Sequence, residues 1–353
     1  MEEIELIVGN SNRRFSGVTA SMLSTLPGIA HRIKLAVLGS HFIPDSIPTL
    51  SYREFLSTCR KPLPHGGQRV FHARRNNEMI QALIAKNFFG AKIRIVFTST
   101  AQRNHSWLTR YLIGQMDGIV TTCQAAASYL IQKPSIVVPH GVNTETYHPA
   151  PCKVDAWESL GYPGKYGIGI FGRVREQKGV DLFVEAALLI AEKHPDFTFI
   201  IGGEVTPSNA RFVRGLKQKI EKAGLEERIL FIGKQPLNRL PLLFRGVSIL
   251  AALSRNEGFG LTPLEAMASG TAVICSGAGA WPEIIHQGQE GYCMDNPTPI
   301  SIAQKMDELM SDPEKIAVMG HRGRKLVEAS YTIDREAAQL AAYLATHVKD
   351  RSA

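Results

Sequence analysis

Short apolar runs rich in Val and Ile alternate with stretches of helical spacing along the whole chain. The runs cover residues 4–8, 33–38, 69–71, 93–98, 118–122 and 135–138, and the series resumes at 166–171, 197–201, 229–232, 248–251 and 271–275. Such alternation predicts parallel strands joined by crossover helices. Eleven strands exceed one comfortable doubly wound sheet, so the fold class is α/β with two Rossmann-like domains. Pro139-His140-Gly141, followed by His148-Pro149-Ala150-Pro151, is the strongest linker signal. It places the boundary near residue 155, with domains at 1–155 and 156–332. Residues 333–348 carry helical apolar spacing and open a C-terminal segment, 333–353. Ligands of open α/β sheets bind beyond the carboxyl ends of the strands. Two such sheets facing each other would put the site in the cleft between them.

Composition narrows the class. With 44% hydrophobic and 20% charged residues, the 353-residue chain is globular, neither disordered nor fibrous. Its net charge of +8 is unevenly placed: residues 1–150 carry 16 Lys+Arg against 8 Asp+Glu, whereas residues 151–353 carry 24 of each. The whole basic excess lies in the first half, where it bears on partners rather than on fold. A phosphorylated substrate or an anionic membrane face fits it. Nucleic acid does not, because recognition motifs are lacking and the charge is interleaved with strands. Cys59, Cys123, Cys152, Cys275 and Cys293 form no close pair, which reads as reduced thiols in a cytosolic protein. The acidic start is unlike a secretory signal. No apolar run reaches the roughly 18 residues of a membrane span, so membrane contact is expected to be peripheral.

Gly167-Ile168-Gly169-Ile170-Phe171-Gly172 matches the dinucleotide motif G-x-G-x-x-G letter for letter. That motif has meaning only after a strand and before a helix, and here it reads as the strand itself. The informative residues follow it: Arg173 and Lys178, two cations in a loop leading into a helix, suit a pyrophosphate. The strongest segment runs from Ser254 to Gly270. Its Gly258-Phe259-Gly260 turn allows close backbone approach to a ligand, and Thr262 with Pro263 reads as N-cap and first helical residue. Glu257 is placed to accept hydrogen bonds from sugar hydroxyls. Glu265 could be spent on a capping box with Thr262.

Glu257-x7-Glu265, the loop Gly172-Arg173-x4-Lys178-Gly179 and His140-Gly141-Val142-Asn143 resemble the retaining glycosyltransferases of family 4. The resemblance implies the GT-B fold, two Rossmann-like domains around a cleft. It implies donor-diphosphate binding by Arg173 and Lys178, donor-sugar binding by Glu257 with Phe259 and Gly260, and ribose binding by Glu265. Gly233 and Lys234 fall where the family holds the base. Gly17, Gly172, Gly258, Leu261 and Thr262 complete the donor set. Asp-x-Asp is absent, which agrees with a metal-independent enzyme needing no cofactor.

The first domain matches more loosely. The loop 10–17 has one glycine, Gly17, where the family shows a pair, and Arg13 and Arg14 stand beside it. The segment 70–79 occupies the place of the family's histidine-bearing strand end, where His72 or Arg74 takes that role; His105 is a second candidate. The acceptor set implied is Arg13, Arg14, Arg74, Arg75, Asn76, Arg103 and His105. These segments and the overall length look most like alphaproteobacterial lipopolysaccharide-core mannosyltransferases, which use GDP-mannose on the Kdo-containing inner core. The expectation is therefore a cytoplasmic mannosyltransferase, peripheral on the inner membrane, with a glycolipid acceptor. The same fold with a UDP-sugar donor, or as a sugar-nucleotide epimerase, are the competing readings.

Overall fold

The computed structural model describes residues 3–348, which form two compact units. One runs up to Gly141 and includes the helix Ile333–Val348; the other is Val142–Thr332. The first holds β1 (Leu6–Gly9), β2 (Leu35–Leu38), β3 (Thr49–Leu50), β4 (Arg69–Ala73), β5 (Ile93–Ser99), β6 (Gly118–Thr121) and β7 (Ile136–Val137). They form a seven-stranded parallel sheet in the order β3-β2-β1-β4-β5-β6-β7. The second holds β8 (Tyr166–Phe171), β9 (Phe197–Gly202), β10 (Ile229–Gly233), β11 (Val247–Ala252), β12 (Ala272–Ser276) and β13 (Gly291–Met294). Its six parallel strands run in the order β10-β9-β8-β11-β12-β13.

All eleven predicted runs have a strand, with ends that differ by at most two residues. β3 and β13 were not predicted. β3 is two residues long, and β13, Gly-Tyr-Cys-Met, has no β-branched residue; both lie at sheet edges.

Helices cover both faces of each sheet, which is why the strands read as unbroken apolar runs. On one face of the first sheet Ile7, Phe71 and Ile95 pack with Met79, Ala82 and Ala85 of the helix Asn76–Phe88. On the other, Leu6, Val8 and Val70 meet Met22 and Leu26 of the helix Gly17–Ala30 and Leu340 and Leu344 of the last helix. The apolar stripe of Ile333–Val348 thus completes the first unit's core. Gly28 brings the two helices together, since a β-carbon there would lie 2.8 Å from that of Ala337. Residues 349–353 of the predicted C-terminal segment, and Met1 and Glu2 of the acidic start, lie outside the described residues.

The units divide at Gly141/Val142, ahead of the boundary predicted near 155. Side chains explain the difference. The Tyr147 ring packs edge-on against Phe244 at 5.6 Å, and Arg324 Nη1 donates to the carbonyls of Thr144 (3.2 Å) and Tyr147 (2.8 Å). Lys153 is half-buried, its ammonium donating to the carbonyls of Arg245 and Ser269 (both 3.1 Å) and to Thr271 Oγ1 (2.7 Å). Burial, with Arg245 nearby, pulls that ammonium down to about 7. The proline-rich segment is therefore part of the second unit.

The G-x-G-x-x-G match is β8 itself, continued by Gly172. Its first glycine serves packing: a β-carbon at Gly167 would run into the indole of Trp157, which is fully buried beneath the strand. Gly167→Ala should destabilise the second unit by about 1–3 kcal/mol, the usual cost of overpacking. Gly215→Ala, in open space on the helix Ala210–Lys222, should raise stability by about 0.5–1 kcal/mol. Urea unfolding of the two variants checks both signs.

Candidate active site

In the second sheet the strand order reverses between β8 and β11. Loops leaving the carboxyl ends of those strands open a crevice at such a point. One loop is 172–179, the other 253–261. Gly172 sits at φ +139 with almost nothing around its missing side chain. Gly179, at φ +69, lies so close to the Leu253 carbonyl that any β-carbon would strike it. The first loop is thereby pressed onto the end of β11. Polar contacts then tie the loops: Arg255 N–H donates to the Gln177 carbonyl (2.8 Å), and Gln177 Nε2 to the Asn256 carbonyl (3.1 Å). Arg255 also forks onto Asp181 at 2.9 and 2.6 Å and donates to the Glu176 carbonyl.

The result is a direct contact between two of the predicted residues. The Lys178 ammonium donates to the Glu257 carboxylate, which also accepts from Ser254 Oγ at 3.1 Å. The side chains of Lys178 and Glu257 keep 23% and 17% of their exposure, enough for a ligand to reach them. Arg173, in the first of these loops, is exposed, and no hydrogen bond or ion pair of its side chain is found among the described residues.

Beyond Glu257 the turn is shaped by Trp281. Its indole N–H donates to the Gly260 carbonyl (2.9 Å), and Gly260, at φ +82, leaves no room for a β-carbon against the ring. Phe259 is buried and its carbonyl accepts from the Ala280 N–H at 3.0 Å; Gly258 before it is half-buried. Leu261, not Thr262, is the N-cap of the helix Thr262–Ala268, and it makes no side-chain cap. Thr262 is the first helical residue, so Glu265 lies one position beyond the reach of a capping box, and the predicted box does not form. Glu265 instead accepts a hydrogen bond from the Tyr147 hydroxyl. Burial pushes its carboxyl up to about 7, the Tyr147 hydrogen bond pulling the other way. At the end of β10, Gly233 has φ +68 and open space around it, while Lys234 pairs loosely with Glu204 at 3.8 Å.

The first sheet reverses between β1 and β4. Arg75 braces that point: it donates to the fully buried Glu78 (2.8 Å), to Ser16 Oγ (3.2 Å) and to Thr19 Oγ1 (2.9 Å). It is an internal strut rather than the free acceptor-facing cation expected. Asn76 is likewise engaged, donating to Thr109 Oγ1 at 2.7 Å. His72 is fully buried and shares a 2.7 Å hydrogen bond with Thr98; burial and the neighbouring Arg74 hold it neutral, well below the usual histidine range. The expected direct catalytic role does not match that burial. Arg13, Arg14 and Arg103 are exposed, and Gly17 begins its helix in open space after the Ser16 cap.

A second feature of this edge is not visible from any motif. Asn10 Oδ1, His72 Nδ1, Arg74 Nη1, Ser99 Oγ and Thr122 Oγ1 are buried with no hydrogen-bond partner, and His105 Nε2 shares that state. They sit at or just beyond the carboxyl ends of β1, β4, β5 and β6. Each such atom costs about 1–3 kcal/mol unless something answers it. Asn10, Ser99 and Thr122 each stand where an apolar run turns polar, the one sequence signal that marks them.

The comparisons with known proteins bear on the family and the fold. The profile of the family described as Glycosyl transferases group 1 matches residues 156–326. The lipopolysaccharide core biosynthesis mannosyltransferase LpcC of Rhizobium leguminosarum bv. viciae is 37% identical over 97% of this chain and 96% of its own length. The chain belongs to the group 1 glycosyl transferases. A second relative, the lipopolysaccharide core biosynthesis mannosyltransferase LpsB of Rhizobium meliloti (strain 1021), is 36% identical over 97% of both chains. Among solved structures, the C-terminal domain of a group 1 family protein (LpcC) from Francisella tularensis is 43% identical, covering 55% of this glycosyltransferase and all of that chain, with a TM-score of 0.53. Anabaena Alr3699/HepE in complex with UDP matches 97% of this chain and all of its own with a TM-score of 0.82 at 17% identity, a likeness of fold. The fold is that of the GT-B glycosyltransferases, as expected from the sequence.

Glu265 gives a pH-dependent signature. Its carboxyl ionises near 7 when folded but near 4.5 when unfolded, so the unfolded chain loses this proton first as pH rises. Stability from this group is therefore full below pH about 4.5, declines up to about 7 and stays low above. Glu265→Gln should melt higher than the wild type at pH 8, by about 1–2 kcal/mol after allowing for partial solvent screening. The difference should shrink towards pH 5. Parallel melting-temperature profiles for the two proteins would show that Glu265 is not held near neutrality.

Proposed function

We propose that this glycosyltransferase moves mannose from GDP-mannose to the Kdo-containing inner core of lipopolysaccharide, with retention at the anomeric carbon. It acts at the cytoplasmic face of the inner membrane and uses no metal. The observation that carries this reading is the 37% identity, along 97% of the chain, to a lipopolysaccharide core mannosyltransferase.

The chemistry follows from the residues already described. Arg173 and Lys178 would take the donor diphosphate, and their charge would stabilise the leaving group in place of a divalent ion. Glu257 would accept from the hydroxyls of the donor sugar, Glu265 from the ribose, and the backbone at Gly233 and Lys234 from the base edge. In the free protein Lys178 and Glu257 neutralise each other; the donor offers each a better partner, diphosphate for one and hydroxyls for the other. The first unit would hold the acceptor, with Arg74 and His105, beside the exposed Arg13, Arg14 and Arg103, meeting sugar hydroxyls and carboxylates. The acceptor hydroxyl then forms the new bond to the anomeric carbon on the face that the phosphate leaves, and the departing phosphate oxygen takes its proton. Holding both partners in register supplies much of the rate.

Purified protein is to be incubated with a Kdo-containing core acceptor and a panel of sugar nucleotides. GDP-mannose should be consumed with acceptor-dependent release of GDP, and EDTA should leave the rate unchanged. Lys178→Ala and Glu257→Ala should each lower kcat/KM by about 10²–10³ with melting temperature preserved. Acceptor-dependent release of UDP without GDP would assign a UDP-sugar donor. Conversion of donor alone to a new sugar nucleotide would make the protein an epimerase. Near-normal rates in both variants would remove the site assignment.

A further inference from the structure

We infer that Cys275 and Cys293 are a peroxide-oxidisable thiol pair, and that their disulfide loosens the turn Glu257–Leu261. No sequence spacing pairs them; the sheet does. β12 and β13 run parallel with Cys275 and Cys293 in register as opposed neighbours, and the Cys275 thiol donates a hydrogen bond to the Cys293 sulfur. Both are free thiols. Their surroundings give them different roles. Cys275 is fully buried, and burial pushes its thiol up. Cys293 is half-buried on the edge strand, and the Cys275 hydrogen bond draws its thiol down, against burial and the nearby Asp295. Cys293 is thus the thiolate that a solute reaches, and Cys275 the thiol that resolves the product.

The Cys293 thiolate attacks one oxygen of hydrogen peroxide. The O–O bond breaks, hydroxide leaves with the proton that Cys293 gave up as water, and a sulfenic acid remains. The Cys275 sulfur then attacks that sulfur: the S–S bond forms, the S–O bond breaks, and the hydroxyl leaves with the Cys275 proton as a second water. The two thiols lose two electrons and the peroxide gains them. Bond formation also moves backbone. Parallel neighbours stand about 4.8 Å apart, while a disulfide draws its β-carbons to about 3.8 Å. β13, held on one side only, moves towards β12. Its Met294 carbonyl accepts from the Gly277 N–H at 3.0 Å, so the loop leaving β12 is pulled with it. That loop braces the turn and the residues before it. Ser276 Oγ donates to the Ser254 carbonyl (2.6 Å), Ala280 N–H to the Phe259 carbonyl (3.0 Å) and the Trp281 indole to the Gly260 carbonyl (2.9 Å). Gly279 leaves no slack, since a β-carbon there would lie 2.6 Å from the Phe259 carbonyl oxygen. Only the effect on transfer rests on the donor site proposed above.

The test treats the full chain with hydrogen peroxide, then blocks the remaining thiols with N-ethylmaleimide for peptide mass spectrometry. The wild type should lose two of its five thiols to a cross-link between Cys275 and Cys293 that dithiothreitol reverses. In hydrogen–deuterium exchange, the segment 254–261 should exchange about tenfold faster after oxidation. Cys293→Ser should show neither change and should keep the wild-type rate of transfer. Cys275→Ala, without the resolving thiol, should stop at a sulfenic acid on Cys293 that dimedone traps. Wild-type kcat/KM should fall about tenfold on oxidation and recover with dithiothreitol. A sulfinic or sulfonic acid on Cys293 without the cross-link overturns the proposal. So does a disulfide between chains through the exposed Cys152 in its place, or unchanged exchange in the cross-linked protein. Faster exchange without loss of transfer, or no transfer even by the reduced protein, would instead count against the donor-site reading alone.

Discussion

The contact between Lys178 and Glu257 is the point at which the two loops of the second unit's crevice meet. The two residues are 79 positions apart in sequence. They meet because a doubly wound open sheet reverses its strand order, and the reversal falls between the two strands whose exits carry them. Topology brings the loops near; Gly179 and Arg255 set the final register. Without a left-handed glycine the first loop could not settle on the Leu253 carbonyl. Without the fork of Arg255 on Asp181 the second loop would lack its lateral tie. The ion pair itself adds little to stability, because partly exposed pairs contribute about 0–1 kcal/mol. That weakness suits a binding role. A pair that is cheap to open can exchange its partners for a ligand's, whereas the structural cost of placing it has already been met by buried glycine contacts.

Much of the fold was legible because its dominant signal is local. A strand buried on both faces must be apolar throughout, so each of eleven runs could be read from a handful of consecutive residues. β3 and β13 escaped because edge strands need neither length nor β-branched side chains. The domain boundary was misplaced for a different reason. Proline marks where a chain bends, not which core it joins, and the membership of residues 142–155 is decided by Lys153, Tyr147 and Arg324, whose partners lie on average far away in sequence. The same holds for Glu265. Its four-letter context spells a capping box, but a start one residue earlier, at Leu261, removes it, and its actual partner, Tyr147, is unrelated in sequence.

The charge of the first half illustrates how far counting goes. The total says that the unit is basic, and it says nothing about which cations are available. Arg75 is spent on Glu78, Ser16 and Thr19, contacts that hold the β1/β4 exit together. Arg13, Arg14, Arg103 and Arg110 remain outward. A motif reading weights adjacent arginines alike, yet Arg74 and Arg75 differ completely: one has a buried nitrogen without a partner, the other is fully engaged. Gly9 is part of the cause. A β-carbon there would approach Glu78 to 3.0 Å, so the absence of one makes room for the carboxylate that Arg75 requires.

The two units thus hold unsatisfied chemistry in opposite forms. The first keeps hydrogen-bonding atoms unanswered along one sheet edge, each at a cost of about 1–3 kcal/mol. The second keeps a compensated ion pair and a carboxyl poised near neutrality. For Glu265, burial raises the cost of charge, and donors to the carboxylate lower it. Tyr147 supplies one such donor and offsets burial only in part, leaving the group at about 7. Two vicinal hydroxyls donating to the same carboxylate would favour the ionised form further. If a ribose binds there, as proposed, it would draw the proton off, and the apparent affinity for a nucleotide would be linked to the charge of Glu265.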